Sequence, residues 1–180
     1  MHTLHVCILA LVLTALVAAG GAVPVSASTA CASADALPLA VSNATLAQAA
    51  ACLINQERAR YGLRPLRANV RLSKAADGHA RDMVKRDYFS HDSAGGGDFA
   101  SRIHRAGYRG RTLGEDLAWG AGTLGTAHAI VNAWMHSPGH RANVLSRRFR
   151  EMGVGVAIGV PGGSGGLAGA TYAVDFGTSR

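Results

Sequence analysis

"MGVGVAIGV", residues 152–160, and "GATYAVDFG", residues 169–177, are two short runs rich in β-branched and aromatic residues, separated by the glycine-rich "PGGSGGLA". Runs of this kind bounded by turn residues predict two strands joined by a loose hairpin loop. The glycines do not make a phosphate cradle, because no Lys-Ser/Thr pair ends the loop and no helix follows it. Everything upstream reads as helix or connector. Helices followed by strands place the chain in the α+β class, not among doubly wound folds.

Working back from that hairpin, four helices are predicted. The first runs from Asn43 to Tyr61, with Ser42 or Asn43 as N-cap, Gly62 as its stop, and Leu46, Ala50, Leu53 and Ile54 as its apolar stripe. The second covers Val70 to Asp87. Its Leu72, Ala76, His79 and Met83 fall within about 40 degrees of one another, which puts His79 on the buried side. "DFASRIHRAG" (98–107) is a short helix capped by Asp98. The fourth helix spans Leu124 to Ser137, with Ala127, Ile130, Val131 and Trp134 facing inward. Between them, "GLRPLRANVRLS" (62–73) reads as a connector, "YFSHDSAGGGDF" (88–99) as a loop and "YRGRTLGEDLAWGAG" (108–122) as irregular chain. There are no internal repeats.

Val6 to Ala19 form an apolar run too short for a comfortable membrane span, followed by small residues and "VSASTA" (25–30). This pattern predicts a secretory signal over residues 1–30, cut after Ala27 or Ala30. The segment before the run offers His2 and His5 but no Lys or Arg, so a single-pass anchor stays open as the alternative. Residues 31–45 are then a lead-in and residues 46–180 one domain, long enough for a real core. With the signal removed, no membrane-spanning stretch is expected.

Cys7 leaves with the signal, and Cys31 and Cys52 are expected to pair, as two cysteines in an exported chain usually do. The rival reading makes Cys31 a lipidated terminus, but "STAC" has Ser28 where such a signal needs an aliphatic residue. Eighteen Lys and Arg against eleven Asp and Glu give a net charge of +7, all of it after the signal. That balance suits anionic wall polymers or phospholipid surfaces. Nucleic acid is set aside, since the arginines are scattered and not interleaved with aromatics. No signal for oligomerisation is visible, so a monomer is expected.

The chemistry-bearing candidates are histidines and acids. In "WMHSPGHRANVL" (134–145), His136 and His140 are spaced like a helical clamp, but Pro138 and Gly139 are expected to end the helix between them. His136 then faces solvent and His140 sits in a turn. His91 and Glu115 fall in neighbouring loops, and spacing alone does not bring the three together. No nucleophile pattern competes, because Ser90 and Ser137 lack a strained strand-to-helix elbow.

Taken together, "CLINQERARYGLRPL", "YFSH", "GEDLAWG", "AWMHSPGHRANVL" and "YAVDFG" occur in an order that closely resembles the bacterial SCP-like branch of the CAP superfamily, which includes cysteine-rich secretory proteins, antigen 5 and plant pathogenesis-related proteins. The resemblance runs from Cys52 to Gly177. It implies an α-β-α sandwich with a central cleft in which two histidines and acidic residues face inward and, in several members, hold a divalent metal, often zinc. By motif these are His91 and His140, with Glu115 as a ligand or as a group that orients a histidine. A second glutamate of many members corresponds to Ser137 here, and Asp116 replaces the usual Asn. His136 is incidental. His79, Asp116, Ser137, Arg141 and Asn143 are expected to support the cleft.

Two imidazoles, one carboxylate and a water would form an open zinc site. Three functions follow. The first is a secreted, non-enzymatic domain binding a ligand or divalent metal in the cleft. The second is a metal-dependent hydrolase acting on protein or peptidoglycan. The third is a module binding lipid or an anionic cell-wall polymer.

Overall fold

The computed structural model describes residues 31–179, so the secretory signal expected over 1–30 lies outside the described residues. Helix α1 is Asn43–Arg60, and the Ser42 side chain accepts from the Thr45 N–H at its start. Gly62, at φ 64°, turns the chain away beyond its end. Helix α2 is Val70–Arg86, with Asn69 accepting from the Arg71 and Leu72 amides and Asp87 closing it in the left-handed conformation. Leu72, Ala76, His79 and Met83 are all buried, as their shared stripe requires. Helix α3, Phe99–Arg105, is capped by Asp98, whose carboxylate accepts from the Ser101 N–H at 2.8 Å.

The C-terminal runs form the antiparallel strands β3 (Glu151–Ile158) and β4 (Gly169–Thr178), with Val154 opposite Val174. Two further strands depart from the sequence reading. Arg67–Ala68, inside the expected connector, is β1 and pairs in parallel with the start of β3. The stretch expected to be irregular contains β2, Thr112–Ala121, paired along its whole length with β4. Its glycines and adjacent acids hide the alternation of a strand, and pairing with a fully buried neighbour overrides that weak local preference. The sheet order is β1-β3-β4-β2, which makes β2 an edge strand.

Two more boundaries shift. A 3-10 turn at Gly122–Gly125 precedes helix α4, which is Ala127–His136 with Thr126 as its cap. Pro138 does not end helical structure: it is the first residue of a new helix, α5, Pro138–Val144. Proline suits that position because its missing N–H would have no partner there and its φ is already helical. His140 therefore lies on a helix and not in a free turn.

Helices α1 and α4 pack one sheet face, where Leu46, Ile54, Trp134, Tyr172 and Phe176 form the main core. Helices α2 and α3 cover the other face over smaller clusters around Ala76, Met83 and Ala173, and around Leu72, Ile103 and Tyr108. The result is an α-β-α sandwich. On the α2 side the approach is very close. A Cβ on Gly155 would stand 2.1 Å from the Asp77 N atom, and one on Gly153 would stand 2.0 Å from the Ser73 N atom.

Cys31 and Cys52 are joined, with Cα atoms 5.7 Å apart and a sequence separation of 21. This fastens the lead-in to α1, and closing a loop of this size stabilises the fold by about 3 kcal/mol in the chain-entropy account. It also leaves Cys31 no sulfur for a lipid. Among the described residues, no helix is long and apolar enough to cross a membrane.

The contact between α2 and β3 sets a prediction. Gly155→Ala is expected to lower unfolding free energy by about 2 kcal/mol or more, because backbone atoms block the new methyl. Gly78→Ala, on α2 where nothing lies within 4 Å, is expected to raise it by about 0.5–1 kcal/mol. Denaturant melts of the two variants check both signs.

Candidate functional site

Alternation along β2 sends Glu115 to the α2–α3 side of the sheet and Asp116 to the α4–α5 side. Glu115 is paired across the ladder with Asp175 of β4, and both are buried. The Gly122 N–H donates to the Ala168 carbonyl, and this fixes the phase of the ladder. Glu115 and Asp175 consequently form a non-hydrogen-bonded pair, in which opposed Cβ atoms stand closest, about 4.5–5.5 Å apart. Two carboxyl groups thus meet inside the protein.

Among the described residues, Arg102 is the arginine that answers them. The Arg102 Nη2 donates to Glu115 Oε2, and Arg102 Nη1 donates to the His91 carbonyl at 2.9 Å and to Ser93 Oγ at 3.1 Å. This guanidinium is the ion-pair partner of Glu115. Burial, and then the charge of Glu115, push the Asp175 carboxyl well above its ordinary range, so that it holds its proton. No N–H or hydroxyl donor among the described residues reaches either Asp175 oxygen, and its side chain meets that of Glu115.

His91 completes the assembly from the loop between α2 and α3. Its Nδ1 lies 2.8 Å from Glu115 Oε1, and an Nδ1–H donated to the carboxylate leaves Nε2 facing outward. Its side chain is 53% exposed, while that of Glu115 is fully enclosed. The hydrogen bond to Glu115 raises the His91 pKa against the opposing effect of burial. His79 secures the same loop from below, its Nε2 donating to the Ser90 carbonyl at 2.8 Å. Burial, and then the neighbouring Arg102 charge, lower its pKa, which keeps it neutral.

Across the β2 edge, the Asn143 Nδ2 of α5 donates to Asp116 Oδ1 at 2.7 Å and to the Glu115 carbonyl at 3.3 Å. Asp116 Oδ2 and His140 Nδ1 are buried without partners among the described residues. Burial raises the Asp116 pKa from 3.8 to about 7. The His140 pKa is lowered, first by burial and then by the charge of His91.

Of the residues singled out from sequence, His91, Glu115, Asp116, Asn143, His140 and His79 converge here. Arg141 does not: its guanidinium stacks over Tyr61 at 5.0 Å, at the far end of α1. Ser137 stands where α4 passes to α5 and makes no side-chain cap bond. His136 is exposed, with its Nδ1 on the Asn132 carbonyl of its own helix. Sequence reasoning missed Arg102 and Asp175. Arg102 occupies the apolar stripe of α3 with Phe99, Ile103 and Ala106, and a charged residue on such a stripe is the available signal. Asp175 is the acid of a strand buried on both faces.

The donor set can be tested against a divalent metal. Both Glu115 oxygens are engaged, one by His91 and one by Arg102, as those of an orienting group would be. Two imidazoles remain. Among the described residues, no three His, Cys, Asp or Glu side chains are grouped as a metal site requires. This arrangement does not fit a resident zinc held by three protein ligands.

The family model described as "Cysteine-rich secretory protein family" (CAP) matches residues 52–174. The chain belongs to the CAP family. Among its relatives, YkwD of Bacillus subtilis is 39% identical over 103 residues, covering 57% of this chain and 39% of that protein. The membrane protein YlbC of the same organism is 32% identical over 104 residues, covering 58% and 29%. The CAP chain thus spans less than two fifths of the length of either relative. An extracellular protein of Bacillus anthracis containing an SCP domain superposes with a TM-score of 0.61 at 27% identity, over 77% of this chain and 44% of that one. An outer surface protein of Borrelia burgdorferi gives 0.58 at 22% identity, covering 72% and 90%, and shares the fold.

The buried acid gives a pH prediction for this CAP domain. Asp116 holds its proton to about pH 7 when folded but only to about 3.8 when unfolded. The native state therefore binds the extra proton between those values, and this group makes stability fall as pH rises through that window and then level off. Asp116→Asn is expected to match the parent below pH 4 and to exceed it by about 1–3 kcal/mol at pH 8. Unfolding curves across pH check it.

Proposed function

We propose that this CAP domain acts outside the cytoplasm as a non-enzymatic binding module, and that its ligand meets the outward-facing imidazoles of His91 and His140. The observation that carries this reading is the enclosed Glu115 carboxylate, clamped by Arg102 and holding His91 by Nδ1. A ring fixed in that way presents one nitrogen to the cleft in a set direction, which favours recognition over loose solvation. His91 tends toward the charged form and His140 toward the neutral form, so the pair offers a donor beside an acceptor. The Cys31–Cys52 bridge supports an oxidising compartment. So do the related proteins described as extracellular and as outer-surface.

A second reading rests on the same carboxylate–imidazole pair, which is how metal-bound histidines are often oriented. With two nitrogen donors, a divalent cation is a labile guest and not a resident cofactor. Calorimetric titration of the disulfide-bonded domain with zinc, beside His91→Ala and His140→Ala, separates the readings. Binding weaker than about 1 µM and abolished by either variant is expected, since structural zinc with a full ligand set binds far more tightly. Sub-micromolar binding, together with peptide or peptidoglycan cleavage lost on chelation, would replace the binding module with a metal-dependent hydrolase.

A further inference from the structure

A second concave site lies at the C-terminal end of α1, and none of its lining residues belongs to the cleft. Arg58, Gly62, Leu63, Arg64, Arg147 and Arg150 enclose about 220 Å³. Its floor is Arg58, only 2% exposed. That guanidinium donates from Nε to the Arg64 carbonyl at 3.0 Å, and from Nη1 to the Val144 and Ser146 carbonyls at 2.7 and 3.0 Å. Arg58 thereby ties the turn after α1 to the turn after α5, and its position is set by backbone. Arg64, Arg147 and Arg150 are exposed around it. Arg150 is held by its Nη1, which donates to the Arg147 and Phe149 carbonyls.

What this pocket lacks is an acid. Elsewhere in the described chain, Arg60, Arg67, Arg81, Arg86 and Arg102 each have a carboxylate within ion-pair range, while Arg71, Arg105, Arg109, Arg111, Arg141 and Arg148 do not but are not gathered around a buried guanidinium. Among the described residues, the four arginines of the pocket have none. Burial, and then repulsion from Arg150, lower the Arg58 pKa, so these cations are close enough to oppose one another. An enclosed guanidinium whose partners are all neutral carbonyls, ringed by further guanidinium groups, is stabilised by any anion that enters. A carboxylate brings one charge and two oxygens. A phosphoryl group brings up to two charges and three or more oxygens, which suits forked donors converging from several sides.

We propose that this pocket binds a phosphoryl group. The chemistry is shared by a soluble or polymer-borne phosphate ester and by an anionic lipid headgroup, so the experiment separates these sources. The disulfide-bonded domain is titrated with glycerol 3-phosphate, followed by amide chemical shifts. In parallel it is sedimented with phosphatidylglycerol vesicles against phosphatidylcholine vesicles. The test variant is Arg147→Gln with Arg150→Gln, both on the exposed rim, so that Arg58 keeps its structural bonds. The control is Arg109→Gln with Arg111→Gln, which removes the same charge from a different surface.

Glycerol 3-phosphate is expected to shift amides around Gly62 and Arg147, with affinity reduced about tenfold or more in the test variant and less than about twofold in the control. Capture by phosphatidylglycerol vesicles alone, with the same dependence on the variants, would also support the pocket and assign it to a membrane headgroup. Equal losses in both variants would reduce the effect to net charge and overturn the proposal. Absence of binding to either probe would overturn it as well.

Discussion

A carboxylate enclosed in protein must be answered by charge, and the Glu115 side chain is fully enclosed. That requirement fixes much of the architecture on the α2–α3 side of the sheet. Arg102 must lie on the inner face of α3, which anchors that short helix against β2. The same guanidinium reaches the His91 carbonyl and Ser93, drawing the long loop between α2 and α3 over the sheet edge. Burial, and then the neighbouring Glu115, leave Asp175 to keep its proton. The imidazole at the surface, the helix behind it and the neutral acid on the central strand all follow from one buried charge.

The two faces of the sheet solve different problems. The α1–α4 side is filled by large side chains such as Trp134, Tyr172 and Phe176. The α2 side has almost no depth to fill, because Gly153 and Gly155 bring the helix backbone onto the strand. That close approach carries His79 down to the level of the sheet, where it can support the His91 loop from beneath. The glycines of β3 therefore contribute to the cleft without lining it.

The hairpin of β3 and β4, the caps of α1 and α3 and the inward faces of α2 and α4 were legible from spacing and cap residues, since these are local preferences that tertiary packing reinforces. β2 was not, because Gly114 and Gly120 resemble turn residues. Their actual reason is packing: a Cβ on Gly120 would stand 2.1 Å from the Leu124 carbonyl oxygen, and one on Gly114 would stand 2.7 Å from the Phe149 ring. Helix α4 does end before Pro138, but the turn expected after it is a new helix that Pro138 starts, because sequence alone does not show on which side of a proline a helix lies. His91, Glu115 and His140 could be named from motif resemblance, yet their meeting depends on β2 being a strand. Arg102 and Asp175 act through partners distant in sequence, and neither has a motif of its own to announce it.

The outer rim of β2 carries one more consequence. The Glu115 carbonyl accepts from Asn143 at 3.3 Å, and the Leu117 carbonyl accepts from the Trp134 indole at 3.2 Å. These are outward-facing groups of an edge strand, which left bare would invite another chain to extend the sheet. With side chains of α4 and α5 already seated on them, a strand-shaped intruder would have to evict a tryptophan that belongs to the core. The helices that frame the cleft also guard this molecule against stacking into fibres.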